Sequence, residues 1–400
     1  MDGQKRFVLD TMRDVYFWYR DLPAQVDLAA FATPEDLLEH LISFQPLDRD
    51  FSTISPAAAF AAFFDEGQTE SFGFNSFLET PDALRIFRVF SGSPADSAGL
   101  ARGQRIIAIN GRTLPEIEAA EGLLAIFELP SLEFTIRRLD DSQFTVTVDV
   151  GVFTLDPLPQ WRVIDTPGGL SFGYVELSLF ISTADPVFDT VFAEFRQAGV
   201  TDLIIDLRYN DGGLINTAEL LGDYLGGAIA TDQVFSKTLL NDKHTASNRT
   251  ELFESRTNSL NLSRLVVIAT PVTASSSELL TNSMEPWVEV SIVGDTTFGK
   301  PVGSRNFEFC DRVLRPITFE TVNALDEGGY FDGLPVDCQA ADDISIPVGA
   351  DTDPSLVAAR ILLETGVCPP MSAGPPKPSL RRDVIVPDSS SPLWGLGTPP

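Results

Sequence analysis

The chain has 400 residues, 44% apolar and 21% charged, which is enough for two or three compact domains with sizeable cores. Its 28 basic and 57 acidic side chains leave a net charge of −29, which argues against nucleic acid or anionic lipid as a partner. No apolar run reaches the length of a membrane span, and the opening MDGQKRF lacks the basic-then-apolar order of an export signal.

In chain order, Val8, Met12, Val15, Tyr19 and Leu22 recur at three- and four-residue steps and predict a helix over 7–22. Thr33-Pro34-Glu35-Asp36 predicts a second helix, with an N-cap, a proline in the first turn and acids near the positive end of the dipole. Ser55-Pro56 opens a third, rich in Ala and Phe, that stops before Gly67. Residues 1–67 are therefore expected to form a small helical domain, and none of its residues has a catalytic pattern. His40 falls on the second helix and reads as a surface or packing residue.

From 68 the pattern changes to short strands and turns. Ser71-Phe72-Gly73-Phe74 precedes an alternating segment from Leu84 to Phe90. Ser93-Pro94-Ala95 starts a short helix ending near Gly99-Leu100, and Asn110-Gly111 is a hairpin-turn pair. In this order the motifs of residues 68–150 resemble the PDZ domain of bacterial proteases. The resemblance implies that Phe72, Gly73 and Phe74 present backbone N–H groups to a peptide carboxylate while a ligand strand adds alongside. The alternative is that the same apolar residues only fill a small barrel core.

Residues 156–368 alternate strands and helices. Strands are expected at 172–180 and 201–207, and helices at 185–198, with Val187, Val191 and Phe195 inward, and at 215–225. Such alternation predicts a largely parallel sheet with helices packed on it, an α/β core. Gly169-Leu170-Ser171-Phe172-Gly173 fits a hydrolase elbow pattern, but a strand follows it where a helix is required. Farther on, Val266, Val267 and Ile268 read as a buried strand, Pro271 stops it, and Thr273-Ala274-Ser275 opens a helix. A hydroxyl at that helix start lies beside unpaired N–H groups, a setting that suits a nucleophile whose attack creates an oxyanion.

Two motifs in this region, in this order, resemble the S41 peptidases, the tail-specific or carboxyl-terminal processing family. The first is Asp206-Leu207-Arg208-Tyr209-Asn210-Asp211-Gly212-Gly213. The second is Ser275 followed by Ser277-Glu278, with Thr297-Phe298-Gly299-Lys300 closing the block. The resemblance implies a ClpP/crotonase-like core, a Ser275 nucleophile, a Lys300 general base and an oxyanion hole formed by Gly212, Gly213 and the amide of Ser276. A lysine serves as base only when burial lowers its proton affinity, and the apolar segment Val288 to Val293 with Phe298 is expected to supply those surroundings. Many family members carry Gln four residues after the lysine. Here Ser304 stands there, so Ser304 and Glu278 are both candidates for the group that orients Lys300.

The function so implied is that of a serine endopeptidase acting on protein or peptide substrates, with the PDZ domain recognising a substrate C-terminus or gating the site. No metal or organic cofactor is implied. The alternative is a weak or inactive peptide-binding protein. Three cysteines, at 310, 338 and 368, match no zinc spacing. Cys310 and Cys338 flank a turn-rich insert, so either one disulfide between them or three buried thiols is expected. Exported members of the family favour the cell envelope, with a cytoplasmic location as the alternative. Residues 369–400 carry nine prolines and are expected to be extended or disordered.

Overall fold

The computed structural model describes residues 2–166 and 168–370, together with the backbone of 385–386. The chain begins with α1 (Asp2–Val15), whose Val8, Leu9 and Met12 are buried against Leu37, Leu38 and Leu41 of α2 (Pro34–Ile42). The first helix thus ends seven residues earlier than the periodicity predicts, and Tyr19 and Leu22 lie beyond it, only partly buried at its edge. Thr33 caps α2 as expected, with a reciprocal bond from its own N–H to Asp36. A strand, β1 (Thr53–Pro56), then precedes α3 (Ala57–Phe64), so Ser55-Pro56 closes a strand rather than opening the helix.

The second unit is a twisted antiparallel sheet. In chain order it contains β2 (Gln68–Ser71), β3 (Phe74–Thr80), β4 (Ala83–Val89), α4 (Pro94–Ser97), β5 (Arg105–Ile109), β6 (Arg112–Thr113), α5 (Leu114–Ala120), α6 (Leu123–Ile126), β7 (Ser131–Arg137), β8 (Gln143–Asp149) and β9 (Gly151–Thr154). The order across the main sheet is β3-β4-β5-β7-β8, and β2 pairs separately with β9. Asn110 and Gly111 both have positive φ, as the tight turn between β5 and β6 requires. Phe72 and Phe74 pack edge-on to Phe134 in the unit's core, with Ile86, Ile106 and Leu132 around them.

The third unit carries the six-stranded sheet. Its strands and helices are β10 (Gln160–Asp165), β11 (Ser171–Glu176), α7 (Asp185–Gln197), β12 (Asp202–Asp206), α8 (Ile215–Gly226), β13 (Val234–Leu240), β14 (Arg249–Leu252), β15 (Arg264–Ala269), α9 (Ser276–Met284) and β16 (Glu289–Gly294). They are followed by β17 (Val302–Ser304), β18 (Phe307–Phe309), β19 (Arg312–Arg315), β20 (Ile317–Val322), β21 (Cys338–Gln339) and α10 (Pro354–Thr365). The sheet runs β10-β11-β12-β15-β16-β21, parallel except for the β10–β11 pair. Helices α7, α8 and α9 cover one face and α10 the other, the arrangement that strands buried on both sides demand. On α7 the inward residues are Phe188, Val191, Phe192 and Phe195, one step round from the predicted face.

The units are not independent. The β18–β19 hairpin pairs with β1, so the chain after the sheet core returns to the N-terminal domain. Arg88 of β4 reaches Glu176, and Arg102 bonds to Tyr209 and Asp342, which joins the antiparallel unit to the core. Cys338 is bonded to Cys368, with Cα atoms 5.4 Å apart, and Cys310 is an exposed free thiol. The Cys310–Cys338 pairing is therefore corrected. Cys310 sits in the β18–β19 turn, whereas Cys338 lies on the sheet edge beside the end of α10. Of the Pro-rich segment 369–400, most lies outside the described residues, but Ile385–Val386 form a strand, β22, antiparallel to Phe77 and Ser76 at the open edge of β3.

Candidate active site

The end of β12 and the start of α9 meet over the carboxyl ends of the parallel strands, where open α/β sheets place their sites. Asn210 organises this meeting. Its amide donates to the Leu177 carbonyl at 2.8 Å and accepts from the Gly212 N–H at 2.9 Å. Its backbone carbonyl accepts from the Ala274 N–H and from Ser277 Oγ. One side chain and one carbonyl thus fix both the glycine turn and the helix start. Behind them, Arg208 is completely buried among Asp206, Asp342 and Asp353, with Nη2 at 2.6 Å from Asp206. The motif's Asp and Arg are structural, and they anchor the turn that precedes the glycines.

Ser275 caps α9 with φ 57° and ψ −115°, a conformation that costs a non-glycine residue about 1–3 kcal/mol. The surroundings enforce it. The Ser275 N–H donates to Glu278 Oε2 at 2.9 Å, and its carbonyl accepts from Leu279 at 2.7 Å. Gly212 presses so close that an added Cβ would stand 2.7 Å from Ser275 Cβ and 2.9 Å from the Ser276 nitrogen. The side chain is left half-buried at this sharp strand-to-helix corner.

Glu278 is fully buried and ties the two motifs together. Oε1 accepts from Thr297 Oγ1 at 2.5 Å and from the Gly299 N–H at 2.7 Å, and Oε2 accepts from the Lys300 N–H at 2.8 Å as well as from Ser275. Burial pushes this carboxyl up, while the four donors pull it down. Because all four groups donate, the carboxylate is the form they satisfy. Glu278 therefore orients the backbone of Lys300. Ser304 lies at the end of β17. The Lys300 amine rests 4.7 Å from the ring of Phe51, in the N-terminal domain, and Phe51 packs edge-on against Phe298. Segment 288–293 lies instead in the sheet core, so the predicted apolar surroundings come from Phe298 and Phe51. No sequence pattern marked Phe51.

Of the three expected oxyanion donors, Gly212 is corrected, because its N–H is occupied by Asn210. The N–H groups of Gly213 and Ser276 make no hydrogen bond among the described residues. Gly213 has φ 137° and is clasped by Phe180, whose N–H donates to the Gly212 carbonyl and whose carbonyl accepts from Leu214. Its own carbonyl accepts from Ser276 Oγ at 2.9 Å.

The elbow-like Ser171 opens a strand and donates to Asp165 across the β10–β11 pair, far from the geometry of a nucleophile. His40 contacts Phe31 and Phe44, and His244 pairs with Asp14. In the antiparallel unit, the rings of Phe72 and Phe74 are core residues, and the Gly73 N–H donates to Ser71 Oγ. The outer edge of that sheet is β3, where β22 pairs.

Residues 171–333 match the model of peptidase family S41, and residues 3–53 match the model of the peptidase S41 N-terminal domain. The chain belongs to peptidase family S41. This S41 chain is 28% identical over 243 residues to the carboxyl-terminal-processing protease of a Picosynechococcus species, a match covering 59% of the chain and 55% of the relative. The protein of the same name from a Synechocystis species is 30% identical over 236 residues, covering 57% and 52%. The chain thus spans about half the length of the curated relatives it matches. The S41 fold is shared with a solved Bacteroides fragilis structure assigned to the S41 proteases (TM-score 0.71, 23% identity, 90% of this chain and 97% of that one). It is also shared with a photosystem II D1 C-terminal processing protease (TM-score 0.55, 18% identity, 89% and 99%). Among the described residues no helix is long and apolar enough to cross a membrane.

Proposed function

We propose that this S41 chain is a serine endopeptidase acting on protein substrates, with Ser275 as nucleophile and Lys300 as general base. The observation that carries the reading is the shared acceptor: Glu278 Oε2 takes a hydrogen bond from the backbone of each, which brings the two residues to one corner. Ser275 Oγ attacks the scissile carbonyl carbon and passes its proton to Lys300 Nζ. The resulting oxyanion accepts from the Gly213 and Ser276 N–H groups, which are in place before the charge develops. Collapse breaks the C–N bond, and the leaving amine takes the proton back from Lys300. Water, deprotonated by the same amine, then releases the acyl group. No step calls for a metal or organic cofactor.

The curated relatives are named for processing carboxyl termini, and we extend that preference to this chain. The antiparallel unit serves as its PDZ domain and takes a substrate tail as an added strand on β3. The β22 pairing supports this, since it shows the backbone of that edge accepting a strand. The Cys338–Cys368 bond supports an oxidising compartment, hence the cell envelope or exterior.

The test is incubation of unfolded casein with the wild type and with Ser275→Ala. Cleavage that falls about a thousandfold in the variant supports the reading. Absent cleavage in both favours a peptide-binding protein that lacks activity, whereas equal cleavage in both overturns Ser275 as the nucleophile. Cleavage lost only in Ser171→Ala overturns the assignment of the nucleophile.

A further inference from the structure

The strand position on β3 already has an occupant from within the chain. β22 runs antiparallel to β3, with Ile385 opposite Phe77 and Val386 opposite Ser76. β4 holds the other side of β3, so β22 takes its remaining edge. An edge strand offers one row of backbone N–H and C=O groups, and one added strand at a time can use it. Val384, Ile385 and Val386 are the one run of three β-branched residues in 369–400, and Pro387, with no N–H to extend a ladder, follows them. Rising numbers in β22 meet falling numbers in β3, so the added strand points toward Phe74 and the 71–74 turn. That is the direction required of a substrate tail whose carboxylate reaches Phe72, Gly73 and Phe74.

This edge lies close to the catalytic corner. The Phe77 ring is 6.4 Å from that of Phe87, and Phe87 is 4.7 Å from Tyr209, which precedes Asn210 in the glycine turn. Val272, shortly before Ser275 in the chain, belongs to the same buried cluster.

We propose that the segment at Ile385–Val386 is an internal competitor: it fills the place on β3 that a substrate tail uses, and the tail must displace it before cleavage. This rests on the reading of β3 as the substrate's seat. Ile385 follows Pro370, the last residue of the continuous described chain, by 15 positions, 385 minus 370. A tether of that order sets an effective concentration on the order of 1 mM. At that concentration a segment whose free Kd is about 0.1 mM fills the edge roughly nine-tenths of the time and weakens a rival about tenfold. The competing account is that β22 only caps an exposed edge and leaves substrate access unchanged.

The experiment compares the full chain with its double variant Ile385→Pro, Val386→Pro, which breaks the ladder whichever of the two residues donates. Hydrogen exchange reads whether the segment holds the edge, and KM for dye-quenched casein reads whether it competes. The expected result is exchange over Phe74–Thr80 faster by about tenfold, with β12 unchanged, and a KM about tenfold lower with kcat retained. A synthetic peptide copying residues 381–388, added to the variant at about 1 mM, is expected to restore the higher KM. Unchanged exchange over 74–80 overturns the proposal, whatever KM does, and leaves the reading of β3 standing. Faster exchange with an unmoved KM shows that substrate does not use the edge, and both readings fall. A KM that rises, or one that falls without being restored by the peptide, overturns the competitor alone. Cleavage absent from both proteins ends the underlying reading and this one with it.

Discussion

The Lys300 N–H donates to the same Glu278 oxygen that accepts from the Ser275 N–H, so one buried atom sets the approach of two residues that are distant in sequence. The carboxylate accepts from three backbone N–H groups and the Thr297 hydroxyl. It fixes two backbones, and the side chains follow.

Replacing Glu278 by Gln tests this geometry. The amide keeps the size but turns one acceptor into an NH₂ group that faces N–H donors. Leaving a buried donor unsatisfied costs on the order of 2–3 kcal/mol. Glu278→Gln is expected to lower stability by that amount in urea titration. It is also expected to depress kcat more than KM, since the loss is one of alignment rather than substrate contact. A variant with native stability and full kcat contradicts the clamp.

Gly213 tests the oxyanion assignment. An added Cβ would lie 2.1 Å from the Phe180 carbonyl oxygen, and φ 137° is strained for any L side chain. Gly213→Ala is expected to cost on the order of 3 kcal/mol and to abolish cleavage as its N–H is displaced. Asn210→Ala releases the Gly212 N–H and the Leu177 carbonyl together, and is expected to reduce kcat without changing the pH at which the activity rises. Urea titration and a cleavage assay of Gly213→Ala check the first statement, and a pH–rate profile of Asn210→Ala beside wild type checks the second.

These positions divide what was legible in the sequence from what was not. Ser275, Gly213 and Lys300 were marked by short motifs, and the cap, the positive φ and the backbone bond to Glu278 found there are local features of those motifs. The α/β core was legible because its strands are continuous apolar runs and its helices have a clear inward face. Phe51 was not, because its place under the Lys300 amine depends on where the N-terminal domain docks. Ser55-Pro56 misled for a related reason. It resembles a helix start, but pairing with the β18–β19 hairpin overrides that local preference. The role of Gly212 was half visible: the need for glycine was legible, and the capture of its N–H by Asn210 was not.

The disulfide gives a prediction independent of the site. Cys338–Cys368 closes a loop of 30 residues and fastens the last helix to β21 at the sheet edge. Chain-entropy arguments place its contribution at about 3–4 kcal/mol. Reduction, or Cys338→Ser, is therefore expected to lower the unfolding midpoint markedly, whereas Cys310→Ser leaves it in place. Mass mapping of tryptic peptides without reduction should recover the 338–368 pair and a free thiol at 310.

Glu219 on α8 supplies a pH dependence whose sign is fixed by burial. Although Arg249 donates to it at 2.8 Å, desolvation and the nearby Glu251 raise its carboxyl from 4.5 to about 7. Between those values the folded chain keeps a proton that the unfolded chain has lost. Stability from this group is therefore full below about pH 4.5 and declines as pH rises to about 7, by on the order of 3 kcal/mol. Glu219→Gln cannot ionise, so its unfolding free energy should fall less than that of wild type over the same range. Urea titrations of both proteins at pH 5 and pH 8 measure the difference. If the two lose stability in parallel, the Glu219 carboxyl is ionised in the folded chain throughout and the pairing with Arg249 outweighs desolvation.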